Sequence, residues 1–144
     1  MGFDVREFGA VGDGVAKDTA AIQQAIDACA HAGGGTVSFP PGDYLSGTIE
    51  LESNVLLEIG HAATLHGSGE IDDYGEPQNG GYNEIRYALV RARDAQNIGI
   101  VGAGTIHCHG AEFSPDARPR GMFFERCTGI ELRDVTLRDA GSWM

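Results

Sequence analysis

A single amphipathic helix, followed only by short strands, most restricts how this 144-residue chain can fold. Its apolar side chains, Ile22, Ala25, Ile26 and Cys29, follow the i, i+3, i+4, i+7 spacing of one buried helical face. The spacing predicts a helix over 18–32. A lone helix ahead of many short strands is typical of a lid on a stack of β coils.

Both ends of this helix have sequence signals. Asp18 is a suitable N-cap residue, and Thr19 is the alternative. The glycines at 33–35 end the helix because glycine adopts left-handed conformations without a Cβ penalty. A phosphate-binding loop would precede a helix, and the glycines at 12 and 14 are not followed by Lys-Ser/Thr at the required spacing. The sequence therefore argues against nucleotide binding.

The remainder of the chain alternates short runs rich in Val, Ile, Leu and Thr with turn residues. The predicted strands are 36–39, 48–51, 54–59, 64–66, 87–91, 97–101, 104–107, 122–125, 129–132 and 135–138.

An internal repeat links these strands. Ile98 and Ile130 are 32 residues apart, Val90 and Phe123 are 33 apart, and Val55 lies 43 residues before Ile98. Periods of this size with variable loops indicate a solenoid of about four coils. We expect a single domain over 1–144, with a cap at 1–35 and coils at 36–144. The two longest insertions, 67–84 and 110–120, are expected on one side of the stack, where a groove could form.

The net charge of the chain argues against one class of partner. The net charge is −11, which argues against nucleic acid. No apolar run approaches the ~18 residues of a membrane span, and the first four residues lack the features of a signal peptide.

All eight basic residues after position 85 are Arg. Most are expected on solvated strand faces, and a few are candidates for binding carboxylates through the guanidinium fork.

Three cysteines, Cys29, Cys108 and Cys127, are widely spaced and form no C-x-x-C pair. This spacing argues against a zinc knuckle or a redox motif. Cys29 is expected to be a buried thiol on the helix. Cys108 and Cys127 could neighbour each other in stacked coils, and a disulfide between them is the less favoured alternative.

The residues at 4–14, DVREFGAVGDG, with the helix that follows, resemble the opening of right-handed parallel β-helix enzymes of the pectate-lyase superfamily. Phage tailspikes share this opening, so it indicates the fold and not the reaction. The resemblance implies an all-β, right-handed parallel β-helix with one N-terminal capping α-helix.

Further segments resemble glycoside hydrolase family 28, the polygalacturonases. They are SGTIELESNV at 46–55, AATLHGS at 62–68, NIGIVGAGTI at 97–106, RPRGMFFERCTGIELRDVTL at 118–137 and AGSW at 140–143. The resemblance covers essentially the whole chain. It implies an enzyme that cleaves pectin-like polyuronides with inversion, with an acidic polysaccharide as partner and no cofactor. Members of the family are often secreted or periplasmic.

The chain departs from that family at the catalytic motifs. The family's aspartates lie in Asn-Thr-Asp and a later Asp-Asp, followed by Gly-His-Gly and Arg-x-Lys, and none of these motifs occurs at the matching place. Asp72-Asp73 comes too early and is interpreted as an acidic loop. Asp134 and Asp139 are interpreted as turn caps. We therefore expect the N-terminal portion of a polygalacturonase-like enzyme, a truncated β-helix that is inactive alone.

Four residues are candidates for substrate binding: Arg118, Arg120, His107 and His109. The two histidines are two apart at a strand end and should project to one side. That arrangement suits a sugar hydroxyl or a metal, but a metal needs further ligands and Glu112 is the only nearby carboxylate. A structural role at the coil edge is favoured, and no metal is expected.

Aromatic residues at Tyr82, Tyr87, Phe113 and Trp143 could stack on a sugar, although packing roles are favoured. Two alternatives to a hydrolase remain open. One is a non-catalytic, tailspike-like binding or structural module. The other is a β-helix lyase, which needs calcium-binding acids and an Arg base that do not form an evident cluster. An open last coil over 129–144 should also pair with a second copy or with a missing C-terminal piece.

Overall fold

A computed structural model describes residues 2–75, 78–79, 85–109 and 119–139. In chain order, the described residues form one α-helix, α1 (Thr19–His31), and these strands: β1 (Gly2–Asp4), β2 (Asp13–Lys17), β3 (Gly35–Phe39), β4 (Gly42–Ser46), β5 (Ile49–Glu50), β6 (Val55–Ile59), β7 (Ala63–Gly67), β8 (Gln78–Asn79), β9 (Ile85–Arg86), β10 (Ala88–Arg93), β11 (Gln96–Val101), β12 (Thr105–His107), β13 (Arg120–Glu125), β14 (Thr128–Arg133) and β15 (Thr136–Arg138). Two short 3₁₀ turns, Val5–Phe8 and Ile71–Tyr74, complete the secondary structure.

The strands stack into three parallel sheets that form the sides of a right-handed parallel β-helix. Face A has the order β1-β3-β6-β11-β14, face B β2-β4-β7-β12-β15 and face C β5-β10-β13. From β3 onward the chain visits A, B and C in turn, so each passage around the three faces is one coil; between β2 and β3 the helix α1 takes the place of a face C strand. The fold expected from the sequence is confirmed.

In-register pairing confirms the repeat with one correction. Ile98 pairs with Ile130, as the 32-residue offset predicts, and Gly99 pairs with Leu56 at the 43-residue offset. Val90, however, pairs with Met122 and not with Phe123. The offset is therefore 32 residues on face C as well. Met122 packs against the core cluster that contains the fully buried Val90.

The core consists of apolar ladders that run through the stack. On face A, Val37 pairs with Leu57, Leu57 with Ile100 and Ile100 with Leu132. The first three are completely buried. Each fully buried aliphatic side chain contributes roughly 1.5–3 kcal/mol, so the ladders account for much of the cohesion between coils.

The helix α1 covers one end of this core. Its buried residues are Ala21, Ile22, Ala25, Ile26 and Cys29, which include all four of the predicted stripe. Asp18 precedes the helix as expected, but its carboxylate does not cap it. It accepts hydrogen bonds from the backbone of Val11 and Gly12 instead. Thr19 Oγ1 accepts one from Gly47 N at 2.8 Å, so neither residue caps by its side chain.

Both long insertions connect face B to face C. The first lies between β7 and β10 and includes the antiparallel pair β8–β9. The second lies between β12 and β13, where residues 110–118 fall outside the described part. The described residues that flank the two insertions therefore lie at the same edge of the stack, between faces B and C. Within the described residues, no helix is long and apolar enough to cross a membrane.

Candidate functional site

Arginines accumulate on face C toward its later strands. In register across the face, Glu50 of β5 pairs with Arg91 of β10, and Arg91 pairs with Phe123 of β13. Arg91 Nη2 lies 3.4 Å from one carboxylate oxygen of Glu50, and Arg93 Nη2 lies 3.8 Å from the other. One carboxylate thus faces two guanidinium groups, and the side chain of Arg93 remains 44% exposed.

Arg120 extends this row at the start of β13. Its guanidinium carbon lies 5.8 Å from the centre of the Phe123 ring, within cation–π distance. We call Arg91, Arg93, Arg120 and Phe123 the arginine row. Of the predicted substrate-binding residues, Arg120 belongs to this row, and Arg118 lies outside the described residues.

A groove of about 630 Å³ lies between this face and α1. Arg91 and Arg93 line it, together with the carboxylates of Asp27, Glu50, Glu52, Asp73 and Asp94. Acidic side chains therefore dominate the groove beside the helix, and Arg91, Arg93 and Arg120 lie on the two later strands of face C. A polyanion would find its counter-charges at these arginines.

The predicted acidic loop is a structural junction. Asp73 lies in a 3₁₀ turn. Ser68 Oγ donates a hydrogen bond to the Asp73 carboxylate, and Lys17 Nζ lies 2.9 Å from the same carboxylate. The Ser68 hydrogen bond and then Lys17 lower the pKa of Asp73. Lys17 also pairs with Glu70 at 2.6 Å. Asp73 is thus held in the ionised state by structural partners.

Turn roles also fit Asp134 and Asp139. Their backbone φ angles are 66° and 52°, in the left-handed region that Asp tolerates at turns. Tyr87 packs partly against the core cluster, in agreement with the favoured packing role. Tyr82, Phe113 and Trp143, the other predicted aromatic candidates, lie outside the described residues, as does Glu112.

A second constellation lies on face B. His107 and His109 do project to the same side, with ring centres 3.7 Å apart and planes at 24°. His109 reaches this position through a left-handed backbone, with φ 52°. His66 of the preceding coil joins them because β7 and β12 pair in register and place His66 beside His107.

The three imidazoles form a connected cluster, the histidine cluster. His66 Nδ1 lies 2.8 Å from His109 Nε2, and His66 Nε2 lies 2.9 Å from Asp43 Oδ1. All three rings are half-buried. Burial, followed by the neighbouring charges of His109, Arg138 and His66, lowers the pKa of His107. A cavity of about 440 Å³, lined by Asp43, His66 and His109 among others, opens beside the cluster.

Sequence reasoning on His107 and His109 did not include His66, which lies 41 residues upstream. The signal was available in the repeat, because aligning Thr64 with Thr105 also aligns His66 with His107. All three cysteines are free, so the less favoured Cys108–Cys127 disulfide is not formed. Burial raises the pKa of the Cys108 thiol to about 12.

Comparison with known proteins gives the family. The model for "Rhamnogalacturonase A/epimerase, pectate lyase-like" matches residues 2–136. The chain belongs to this family. It is also 49% identical over 139 residues to mannuronan C5-epimerase AlgE5 of Azotobacter vinelandii, which covers 95% of this chain. It is 35% identical over 126 residues to the exo-poly-alpha-D-galacturonosidase of Dickeya chrysanthemi, which covers 80% of this chain.

A structural match agrees. The family 28 exopolygalacturonase of Yersinia enterocolitica superimposes with a TM-score of 0.85 and 26% identity, over 96% of this chain and 35% of that one. The resemblance to polygalacturonases within the pectate-lyase-like superfamily is thereby confirmed. The chain spans 14% of the epimerase and 21% of the galacturonosidase, so it corresponds to a small part of each.

Proposed function

We propose that this chain is part of a β-helix enzyme acting on a polyuronide, and that the arginine row binds the carboxylates of the polymer. The main observation that supports this proposal is that Arg93, Arg120 and Phe123 lie on face C. A guanidinium fork matches a carboxylate in two-point geometry, and an aromatic ring offers an apolar surface for a sugar.

Charge distribution supports this position for the polymer. Glu50 occupies the first strand of face C and serves as the counter-ion of Arg91 and Arg93. An incoming carboxylate would exchange with Glu50 or bind beyond it, toward Arg120. The acidic end of the groove, where the carboxyl groups of Asp27 and Glu52 carry a net negative charge even when they share a proton, would repel the polymer. Binding is therefore directed toward the later coils.

We propose further that the reaction of the parent enzyme is inverting hydrolysis of a pectin-like polyuronide, and that these 144 residues alone do not catalyse it. Inversion requires a carboxylic acid and a carboxylate about 6.5–9.5 Å apart across the scissile bond. The sequence has no Asn-Thr-Asp motif to supply them. Reducing-sugar release from polygalacturonate by this polypeptide would contradict the second part of the proposal.

The 49% identity to a mannuronan epimerase favours a second candidate, in which the bound polymer is mannuronan and the parent reaction is epimerisation. The non-catalytic module expected as an alternative would bind without either reaction. The nature of the sugar therefore decides between the candidates.

Isothermal titration calorimetry with oligogalacturonate, oligomannuronate and a neutral galactan oligomer tests the binding proposal. We expect an acidic oligomer to bind and the neutral one not to. Arg93→Gln and Arg120→Gln should each weaken binding several-fold and reduce its salt dependence. Arg133→Gln is the matched control, since Arg133 is an exposed arginine on face A. Unchanged affinity in both face C variants, or equal binding of the neutral oligomer, would overturn the proposal.

A further inference from the structure

We propose that His66, His107 and His109 bind one divalent transition-metal ion, for which Zn²⁺ is the reference ion. One ligand nitrogen from each ring can be chosen so that all three lie within 4.8 Å of one another. Zn²⁺ binds imidazole nitrogen at about 2.0–2.1 Å and takes three protein ligands plus water in open sites. His66 lies on β7, His107 on the adjacent β12, and His109 two residues after the end of β12. Small rotations of their rings bring the nitrogens to that spacing.

Asp43 prepares His66 for this role. A carboxylate only accepts hydrogen bonds, so the proton of His66 lies on Nε2, which donates to Asp43 Oδ1 at 2.9 Å. The lone pair of Nδ1 then points into the histidine cluster, toward His109 Nε2 at 2.8 Å. A carboxylate behind a ligating imidazole fixes its tautomer and raises its basicity. The geometry is that of a ligand with its supporting partner already in place.

The three imidazoles are already gathered on one side of the stack. The rings of His107 and His109 stack with centres 3.7 Å apart, and the pairing of β7 with β12 places His66 beside His107. An ion can therefore bind with changes in side-chain rotation alone.

Ligand type selects the class of ion. Neutral imidazoles suit Zn²⁺, Cu²⁺ and Ni²⁺, whereas Ca²⁺ and Mg²⁺ prefer oxygen. The cavity of about 440 Å³ beside His66 and His109 leaves room for water at the remaining position. Because His66 belongs to one coil and His107 to the next, the ion would also cross-link two coils. This site is separate from the arginine row and does not depend on the proposed function.

The competing interpretation is a purely structural cluster, in which the hydrogen bond between His66 and His109 is the final state. Metal binding must replace that bond and move the His109 proton from Nε2 to Nδ1. Affinity for Zn²⁺ therefore separates the two interpretations directly.

The test is calorimetric titration of the chelator-treated, tag-free chain with Zn²⁺ at neutral pH. We expect one ion per chain, no competition by Ca²⁺, and loss of at least 10-fold in affinity for His66→Ala, His107→Ala and His109→Gln. Asp43→Asn should weaken binding by about 10–100-fold. His31→Ala and His61→Ala are matched controls, since both histidines are exposed and outside the cluster.

Thermal unfolding provides a second readout. Zn²⁺ should raise the melting temperature of the parent chain and of both control variants, but not of the cluster variants. Circular dichroism establishes that each variant is folded before titration. No heat above buffer, or an equal loss of affinity in the His31 and His61 variants, would overturn the proposal and leave the structural cluster.

Discussion

Glu52, which precedes β6, and Asp27 of the capping helix place their carboxyl groups together, so that a proton on Glu52 can be shared with Asp27 in a hydrogen bond. The hydrogen bond, and then burial, raise the pKa of Glu52 to about 7. Gln23 strengthens the same junction by bonding both backbone groups of Glu50, at 3.0 and 2.8 Å. The helix is therefore attached to the coil through a pair of acids that retains a proton near neutrality.

This pair predicts a loss of stability as the pH rises. Glu52 has a raised pKa in the folded state, so its contribution is complete below the unfolded pKa of about 4.5 and is lost as the pH passes through about 7. Glu52→Gln keeps a hydrogen-bond donor for Asp27 but does not ionise. We expect this variant to have a flatter dependence of unfolding free energy on pH between 5 and 8, measured by urea denaturation.

Glu58→Gln is the matched control, since Glu58 is an exposed glutamate on β6. It should keep the pH dependence of the parent chain. If the Glu52 and Glu58 variants behaved alike, the shared proton would not stabilise the junction.

Asp18 gives a prediction about the entry to the capping helix. It is only 2% exposed, and its carboxylate accepts hydrogen bonds from Val11 N at 2.9 Å and Gly12 N at 3.0 Å. Asp18→Ala leaves two backbone donors without this acceptor, so we expect the unfolding free energy to fall by about 1–3 kcal/mol. Chemical denaturation measures the change. Asp72→Ala, at an exposed aspartate, should shift it by less than ~0.5 kcal/mol; a similar shift in both would refute the anchoring role.

The last described coil predicts self-association. Ile130 and Leu132 pair with the buried Ile98 and Ile100, yet they are 43% and 49% exposed on β14. They occupy core positions that no further described strand covers. We expect this polypeptide alone to associate through β14, with a mass above that of a monomer in light scattering at high concentration.

Ile130→Lys and Leu132→Lys should shift the chain toward the monomer. Val15→Lys is the control, because Val15 is 79% exposed on β2, away from β14. A monomeric parent chain, or equal effects of all three substitutions, would exclude association through this strand.

The sequence predicted the coils well where alternation and repetition are strong. β6, β11 and β14 follow inward apolar positions that recur at fixed offsets, and their predicted bounds differ by one residue at most ends. β2 and β4 were missed because DGVAK and GDYLS begin with turn-type residues. Their extended conformation depends on the pairing of β2 with β4 and of β4 with β7. Such long-range pairing cannot be predicted from local strand propensity.

The candidate sites were less accessible to sequence reasoning, because they combine residues from different coils. Arg120 was proposed for its residue type, but its contact with Phe123 follows from the backbone at the start of β13. Neighbouring sequence positions identify His107 and His109 but not His66, because His66 belongs to the preceding coil. Asp18 was assigned as a helix cap by a local rule, whereas the returning loop at Val11 and Gly12 takes its carboxylate.

The position of α1 also bears on how the molecule is made. The lid precedes every coil from β3 onward in the sequence, so the ribosome delivers it before the strands that it covers. Each later coil then emerges next to a stack whose first end is already covered by the helix. Assembly can proceed in the direction of synthesis, one layer at a time, and only the most recently added layer is ever uncovered.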